Sequence, residues 1–520
     1  MNLLAQTAPS TATTTAGVNF PTVVFTLMVW LPVVLALVAL VMPERTAEQR
    51  SRIRALGASG AGGALFFAIW AVQTQAAAAV SGNGGGIPST DQLQETHGWL
   101  TALPFTSSYQ LNASGVSLAL VLLFAVVFFA LALAAWKNQH RVKLLTVCLL
   151  TVETSFLGVL VSFDWVLFLL FWLLPVAPVY LLVRGFGRGE KPRAAGRYAA
   201  GTLVSAALLT LAVTLISFQG GARSFSMSGA PVTLHGAGAG VAFWLLAAAF
   251  LLTMAVVPLH GALLDLEEDG AGVLAALFAS LLPSLGAYGL LEVAVGFFPT
   301  TAVDLSLFFA VLAVATVLWS GLAALRCDDL RRLIGYAGNA LMGVVLLGVA
   351  GHTTIALTGA LYLLIARGLA MAVLMLLASG IQERTRRTRI SQLGGLMWQM
   401  PHTAAFWLAG ILTAAGVPLL GGFLGMFLLF AGAFPAHRWA TAAVLAGMVL
   451  VVGGLVWAAQ RIFMGGEREA FARARDLGPL ELTYLGILVA VSVFLGIYPH
   501  YFSALFVNGA DHVLFPATYG

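Results

Sequence analysis

His260 stands two residues after Pro258 in the run TMAVVPLHGALLDLEEDG, Thr253 to Gly270, which begins inside a long apolar segment and ends in four carboxylates. A proline at membrane depth frees a backbone carbonyl, which is tolerated only inside protein or against a water-filled cavity. Histidine changes charge near neutral pH, so an imidazole at such a break is a candidate for binding and releasing protons. Polar kinks of this kind mark transport sites. The structural alternative is that His260 hydrogen-bonds the freed carbonyl and only holds the kink. The cluster Asp265, Glu267, Glu268 and Asp269 has three readings: an entrance that attracts protons or cations, a contact for a basic neighbour, or a solvated loop.

Glu153 and Arg367 are the two clear charges inside apolar segments, whereas Asp164, Glu292, Asp304 and Glu481 fall near segment ends. A charge at the bilayer centre costs at least ~2.5–3.5 kcal/mol on insertion scales, so neither is idle. Each could line a hydrated path, pair with the other, or pair with a neighbouring subunit. Arg367 is a poor relay, because a guanidinium releases no proton at accessible pH; it could instead repel protons or anchor a carboxylate. His352 and His402 sit at segment ends and read as interfacial.

The segments that carry these residues are membrane spans. Of 520 residues, 60% are hydrophobic and 9% charged, too few charges to cover a water-soluble protein of this size. Apolar runs of about 20 residues occur in fourteen places, near 20–42, 55–80, 115–136, 142–162, 164–184, 196–219, 239–262, 271–297, 301–322, 332–352, 354–381, 402–434, 438–463 and 478–499. The loops after spans 1, 3, 5, 9, 11 and 13 hold 23 of the 26 Lys and Arg, including Arg188 and all three lysines; only Arg223, Arg438 and Arg367 lie elsewhere. By the positive-inside rule those loops are cytoplasmic and both termini face out. No lysine lies within the membrane.

Cys148 and Cys327 are too few and too far apart for a disulfide frame or a metal site. The start, MNLLAQTAPSTATTT, lacks the basic region of a signal peptide and reads as mature sequence. The loop 81–112 reads as a polar, Gly-rich connection without a motif, and the tail from Tyr501 as interfacial. GASGAGG, 57–63, gives span 2 a small-residue face for helix packing. Pro258 in AVVPLHGALL and Pro418 in AAGVPLLGGFLG break spans 7 and 12, five spans apart, a pairing typical of inverted-repeat transporters.

LNASGVSL (111–118), TVETSFLGVLVSFDWVLFLLFW (151–172), VVPLHGALLD (256–265), LGAYGLLE (285–292), DLRRLIGYAGNALMGVVLLG (329–348) and GVPLLGGFLGMFLLFAGAF (416–434) together resemble the antiporter-like membrane subunits of respiratory complex I. Among these, LGAYGLL is most similar to the M subunits of bacterial NADH-quinone oxidoreductase. The resemblance covers spans 3 to 13. It implies an all-α polytopic fold of about fourteen helices, with helices 4–8 and 9–13 as inverted repeats. The chain then divides into 1–141, the repeats 142–297 and 298–463, and the last helix and tail, 464–520. It implies a bacterial inner-membrane subunit in the lipid bilayer, beside sister subunits of the membrane arm. The family's activity is proton translocation driven by quinone reduction elsewhere in the complex, so NADH and quinone concern this chain only through partners. No cofactor, metal or nucleic acid is expected on the chain itself, which has neither a Gly-rich nucleotide loop after a strand nor a cysteine cluster.

The sequence departs from the family where the proton machinery belongs. Leu173 stands at the helix 5 glutamate, Thr253 and Ser284 at the buried lysines of helices 7 and 8, Leu341 at the helix 10 histidine and Met426 at the helix 12 glutamate. Arg367 replaces a histidine, and Pro283 is an extra proline. Asp265 matches a family aspartate and could cap helix 8. Leucine and methionine carry no exchangeable proton, and Thr or Ser only orient water. The chain therefore reads as a membrane-arm subunit with a degenerate proton path. The alternatives are a scaffold that does not pump, or a subunit of a cation/proton antiporter or membrane-bound hydrogenase.

Overall fold

The computed structural model describes residues 23–81, 94–100, 106–187, 191–219, 225–227, 237–270 and 272–515. The N-terminal run 1–15, the loop residues 82–93, Arg188, Arg223 and the last five residues lie outside them. In a bilayer every backbone N–H and C=O must find a partner within the protein, and helices are the local way to achieve it. The chain accordingly begins with α1 (Val24–Val41) and α2 (Ala47–Ser81). After two strands, β1 (Glu95–Leu100) and β2 (Ser107–Leu111), it continues through α3 (Gly115–Ala135), α4 (Val142–Val161), α5 (Trp165–Leu173), α6 (Val176–Phe186) and α7 (Lys191–Gln219). The first broken segment is α8 (Ala237–Met254) followed by α9 (Gly261–Asp269). Then come α10 (Gly272–Ser280), α11 (Leu282–Tyr288), a π-helical stretch Gly289–Val295, and α12 (Pro299–Asp304). The second half holds α13 (Ser306–Arg326), α14 (Leu330–Gly351), α15 (Thr354–Thr385), the broken pair α16 (Pro401–Ala414) and α17 (Gly421–Ala433), α18 (Arg438–Phe463), α19 (Pro479–Ile497) and α20 (His500–Leu514).

Among the described residues, 12 helical segments are long and apolar enough to cross a membrane, and Gly238–Met254 and Gly421–Ala433 are shorter apolar helices. These two are halves of the broken segments. The chain is thus a predominantly helical, multi-pass membrane protein. Its inner helices are α15, whose apolar stretch is wholly buried, with α14, α10–α11, α3 and α4; α1, α2, α7, α18 and α19 are peripheral. Hydropathy could not rank them, because lipid tails are as apolar as leucine. Close approach of small residues distinguishes the inner ones. A side chain at Gly286 would meet the α8 backbone at Met254, and one at Gly425 would meet the α15 backbone at Leu363.

The polar loop before α3 is more structured than a plain connection. β1 and β2 pair antiparallel, and Glu95 reaches α1, accepting hydrogen bonds from Phe25 N–H (2.8 Å), Thr26 N–H (3.1 Å) and the Thr26 hydroxyl (2.5 Å). Asp164 caps α5 at Val166 N–H (2.9 Å) and also accepts from the Ser107 hydroxyl (2.9 Å) and Ser108 N–H (3.1 Å). Two acidic side chains therefore tie the hairpin to helix ends, and the expectation of a purely helical chain is corrected to that extent. The tail is helical up to Leu514 and packs on α3, where Gly115 and Gly509 bring the two backbones together.

On the opposite face Asp476 caps α16. Burial alone would raise its pKa, but the N–H groups of His402 and Leu477, the Thr403 hydroxyl and the His402 ring hold it below the usual carboxylate range. Its folded pKa lies below the unfolded one. Its contribution, about 0.5–2 kcal/mol for a helix cap, is therefore present above the unfolded pKa and lost as pH falls through the folded value. Asp476→Asn should flatten that acid-side loss in thermal unfolding scans between about pH 3 and 6; an unchanged profile would remove the cap from the account.

Candidate functional site

The first break spans residues 255–260. Ala255 takes φ 56°, and Pro258, which has no N–H to donate, sits between α8 and α9. His260 is the N-cap residue of α9. Its ring lies against the Pro258 carbonyl, 6.5 Å from the Trp319 ring and 6.4 Å from the Tyr336 ring, centroid to centroid. Its Nδ1 has no hydrogen-bond partner. That contact is with Pro258's own carbonyl, not with the Met254 carbonyl four residues earlier that a missing proline N–H frees.

The acidic run is helical, not a loop, with Glu267 buried and Asp265, Glu268 and Asp269 part-exposed. It forms α9, and two of its carboxylates pair with a cation from a different helix. Asp265 pairs with Arg197 of α7, and Glu268 with Arg332 of α14 (3.3 Å). Arg331 adds hydrogen bonds to the carbonyls of Glu268 (3.2 Å) and Gly270 and to the Ser379 hydroxyl of α15 (3.1 Å). Asp265 lies mid-helix in α9 and accepts from Arg197, so it does not cap the next helix.

Glu267, read from the sequence only as one of the acidic cluster, is set apart from its neighbours by burial. It is 1% exposed, and Arg367, also 1% exposed, is the charge that faces it from α15. Arg367 directs Nε to the Gly338 carbonyl (3.1 Å) and Nη1 to the Ser280 carbonyl at the end of α10 (3.2 Å). Gly335 and Gly338, one turn apart on α14, leave the space for this pair. A Cβ at Gly335 would overlap the Glu267 carboxylate and crowd Leu264 Cδ2 (2.6 Å), and one at Gly338 would stand 3.3 Å from Arg367 Nη2. The one available signal was the spacing IGYAG, 334–338, two glycines on one face of a helix already known to follow the arginines. Gly335→Ala should destabilise the chain by about 1–3 kcal/mol as an overpacking change. Gly453→Ala on α18, where a Cβ meets nothing within 4 Å, should leave the unfolding midpoint in detergent in place.

Glu153 and Arg367 do not pair. Glu153 is fully buried on α4, and among the described residues neither of its oxygens has a hydrogen-bond partner. Glu292, expected near a helix end, lies in the π-helical stretch with its side chain 9% exposed, and His512 of α20 approaches it at 4.0 Å. His402 is at the surface with Asp476, as expected for an interfacial residue, and His352 closes α14 half-buried.

The five positions that lack ionisable groups form no polar row. Leu173 is 40% exposed at the molecular surface, and Leu341 is buried in the core. The Thr253 hydroxyl donates to the Ala249 carbonyl (3.3 Å) and the Ser284 hydroxyl to the Ser280 carbonyl (3.0 Å), so both are absorbed by their own helices. At the second break, Gly416 (φ 69°) and Leu419 (φ 78°) flank Pro418, and the Met426 sulfur packs onto Gly416. That break is lined by a thioether, a weak acceptor with no proton to give. Chemically the first break offers one imidazole, with the Arg367 guanidinium facing the Glu267 carboxylate beside it; the second break offers no ionisable group.

The transmembrane family described as NADH:quinone oxidoreductase/Mrp antiporter matches residues 162–452. The chain is 32% identical over 402 residues to NAD(P)H-quinone oxidoreductase chain 4 1 of Synechococcus sp. (strain JA-3-3Ab), covering 76% of this chain and 75% of that protein. It is 26% identical over 436 residues to NADH-quinone oxidoreductase subunit M of Rhodobacter capsulatus, covering 81% and 84%. Its fold superposes on a chain of respiratory complex I from Thermus thermophilus with bound NADH at a TM-score of 0.83 and 26% identity, covering 94% of this chain and 99% of that one.

Proposed function

Since the chain belongs to the NADH:quinone oxidoreductase/Mrp antiporter transmembrane family, we propose that it is a membrane-arm subunit of a complex I-type NADH-quinone oxidoreductase whose own proton path is degenerate. It takes part in proton translocation coupled to quinone reduction as a member of the arm. The observation that carries the degenerate path is the set Leu173, Thr253, Ser284, Leu341 and Met426, which offers no buried lysine, histidine or glutamate where the resemblance calls for one. The burial of Ser284, Leu341 and Met426 and the self-bonded hydroxyls of Thr253 and Ser284 support the same reading.

In this proposal the broken segments complete fourteen spans, helices 4–8 (142–297) and 9–13 (298–463) form inverted repeats, and residues 1–141 and 464–520 flank them. The alternation of basic loops supports both termini outside a bacterial inner membrane. Sister antiporter-like subunits are the protein partners, NADH and quinone are handled by other subunits, and this chain carries no cofactor. Glu153, His260, Asp265 and Arg367 are structural or vestigial polar groups, with Pro258 and Pro418 preserving the breaks.

A second reading, a scaffold that conducts no protons at all, is favoured by Arg367, whose guanidinium is bound to the Gly338 and Ser280 carbonyls beside the first break. Two measurements separate these possibilities. Tagged chain purified from its membranes should bring NADH-quinone oxidoreductase subunits with it; co-purification with cation/proton antiporter subunits alone would overturn the assignment. The reconstituted complex should move fewer protons per electron than one in which every antiporter-like subunit keeps its buried lysines. An equal ratio would refute the degenerate path.

A further inference from the structure

On the face that carries the basic loops, the chain after α15 folds back along the chain after α18. The N–H groups of Gly395, Leu396 and Met397 donate to the carbonyls of Met464 (3.0 Å), Ile462 (3.2 Å) and Phe463 (3.1 Å). This clasp sets Thr385, Arg387 and Gln392 opposite Arg468, Ala470 and Phe471, around a groove of about 350 Å³. Arg468 is held in place: a Cβ at Gly394 would stand 2.8 Å from its Nη2, and its Nη1 reaches the Gln392 carbonyl (3.5 Å). Thr385, at the end of α15, fixes the other bank, because its hydroxyl accepts the Arg387 N–H (3.3 Å).

The groove has no anion of its own. No carboxylate lines it, and among the described residues neither Arg387 nor Arg468 is paired with one. The nearby acids are engaged elsewhere. Asp328 accepts from the Ser391 N–H (2.8 Å) and hydroxyl (2.6 Å), Glu467 accepts from the Gln399 amide (2.8 Å), and Asp476 caps α16. Glu469, next to Arg468 in sequence, is not on the groove wall.

We infer that this groove binds the phosphate of a soluble phosphomonoester, with one guanidinium on each side of it. Two arginines on opposite banks can each present parallel N–H groups, which the several oxygens of a tetrahedral phosphate accept and the two of a single carboxylate do not. A single water needs about 10–15 Å³ of such a cavity, so this one has room for a phosphate together with the group it esterifies. The groove opens over α15, whose apolar stretch is wholly buried, and its apolar lining is Ala470 and Phe471, so it offers no lipid-facing wall for an acyl chain.

The inference is independent of how the subunit is assigned, and its test uses the full chain. The purified chain in detergent is freed of phosphate and kept at roughly 0.15 M chloride, where attraction between exposed charges is screened beyond about 8 Å. It is titrated calorimetrically with glycerol 3-phosphate, inorganic phosphate, acetate and a short-chain phosphatidylglycerol. Glycerol 3-phosphate should saturate a single site about tenfold more tightly than acetate, the difference of one further charge-assisted hydrogen bond. Arg387→Gln and Arg468→Gln should each weaken it by about the same tenfold. Arg475→Gln, exposed on the same loop but outside the groove, should leave it unchanged. Unfolding midpoints without ligand check the fold; should Arg468→Gln lower its own, because that side chain packs on Gly394, Arg387→Gln decides. An equal loss in Arg475→Gln would reduce the site to a diffuse basic field and overturn the inference, as would acetate bound as tightly or no saturable binding at millimolar ligand. Inorganic phosphate bound more tightly than the ester would overturn it in favour of the free ion, and phosphatidylglycerol bound more tightly in favour of a lipid headgroup.

Discussion

Arg367→Met should destabilise the chain by about 3–5 kcal/mol, the range for removing one partner of a buried ion pair. Glu267→Gln introduced on top of it should recover most of that loss. The first substitution leaves the Glu267 carboxylate buried against Gly335 with no counter-charge facing it, and its Oε2 has no hydrogen-bond partner among the described residues. The second neutralises it. Recovery will be incomplete, because the carbonyls of Gly338 and Ser280 also lose the guanidinium. Unfolding midpoints of the two single variants and the double variant, measured in detergent on the full chain, form the necessary cycle. A double variant less stable than Arg367→Met alone would show that the two side chains do not act as a pair. The same cycle bears on mechanism. A proton relay needs a group that alternates between two states, and an arginine held by two carbonyls has one.

Gly425→Val is the second large effect, expected to cost about 3 kcal/mol or more as overpacking against backbone. α17, the second half of the second broken segment, lies on α15 with almost nothing between them. A Cβ at Gly425 would stand 2.6 Å from Leu363 N, and the reciprocal position, Gly359, faces the Gly425 carbonyl at 2.8 Å. Side chains can turn aside from a new methyl group; a helix backbone buried along its whole length cannot. The loss should appear as a lower yield of folded chain and a lower unfolding midpoint. Gly453→Ala provides the neutral control, and a Gly425→Val chain as stable as that control would disprove backbone-to-backbone packing here. Membrane helices depend on such contacts because lipid offers no hydrophobic incentive for them to associate.

The two prolines illustrate what could be read directly. Pro258 and Pro418 interrupt apolar runs, and the structure breaks both segments there, since a residue without an N–H cannot continue the hydrogen-bond ladder. The basic residues were legible only in part: Arg197, Arg331, Arg332 and Arg384, read as loop residues, lie within α7, α14 and α15. The acidic run after His260 was no more so. One of its four carboxylates is buried, and Asp265, Glu268 and Glu267 face Arg197, Arg332 and Arg367, between 64 and 100 residues away in sequence.

The sequence by itself determined that this is a multi-pass membrane protein and where two of its segments break. Those properties follow from the residue types along one segment and the solvent that segment must face. Only the tertiary structure decided which helices are inner, that Glu267 rather than Glu153 is the partner of Arg367, and that glycines on α14 make room for them. Burial and pairing depend on what other segments bring to the same point. A one-dimensional pattern carries no record of that.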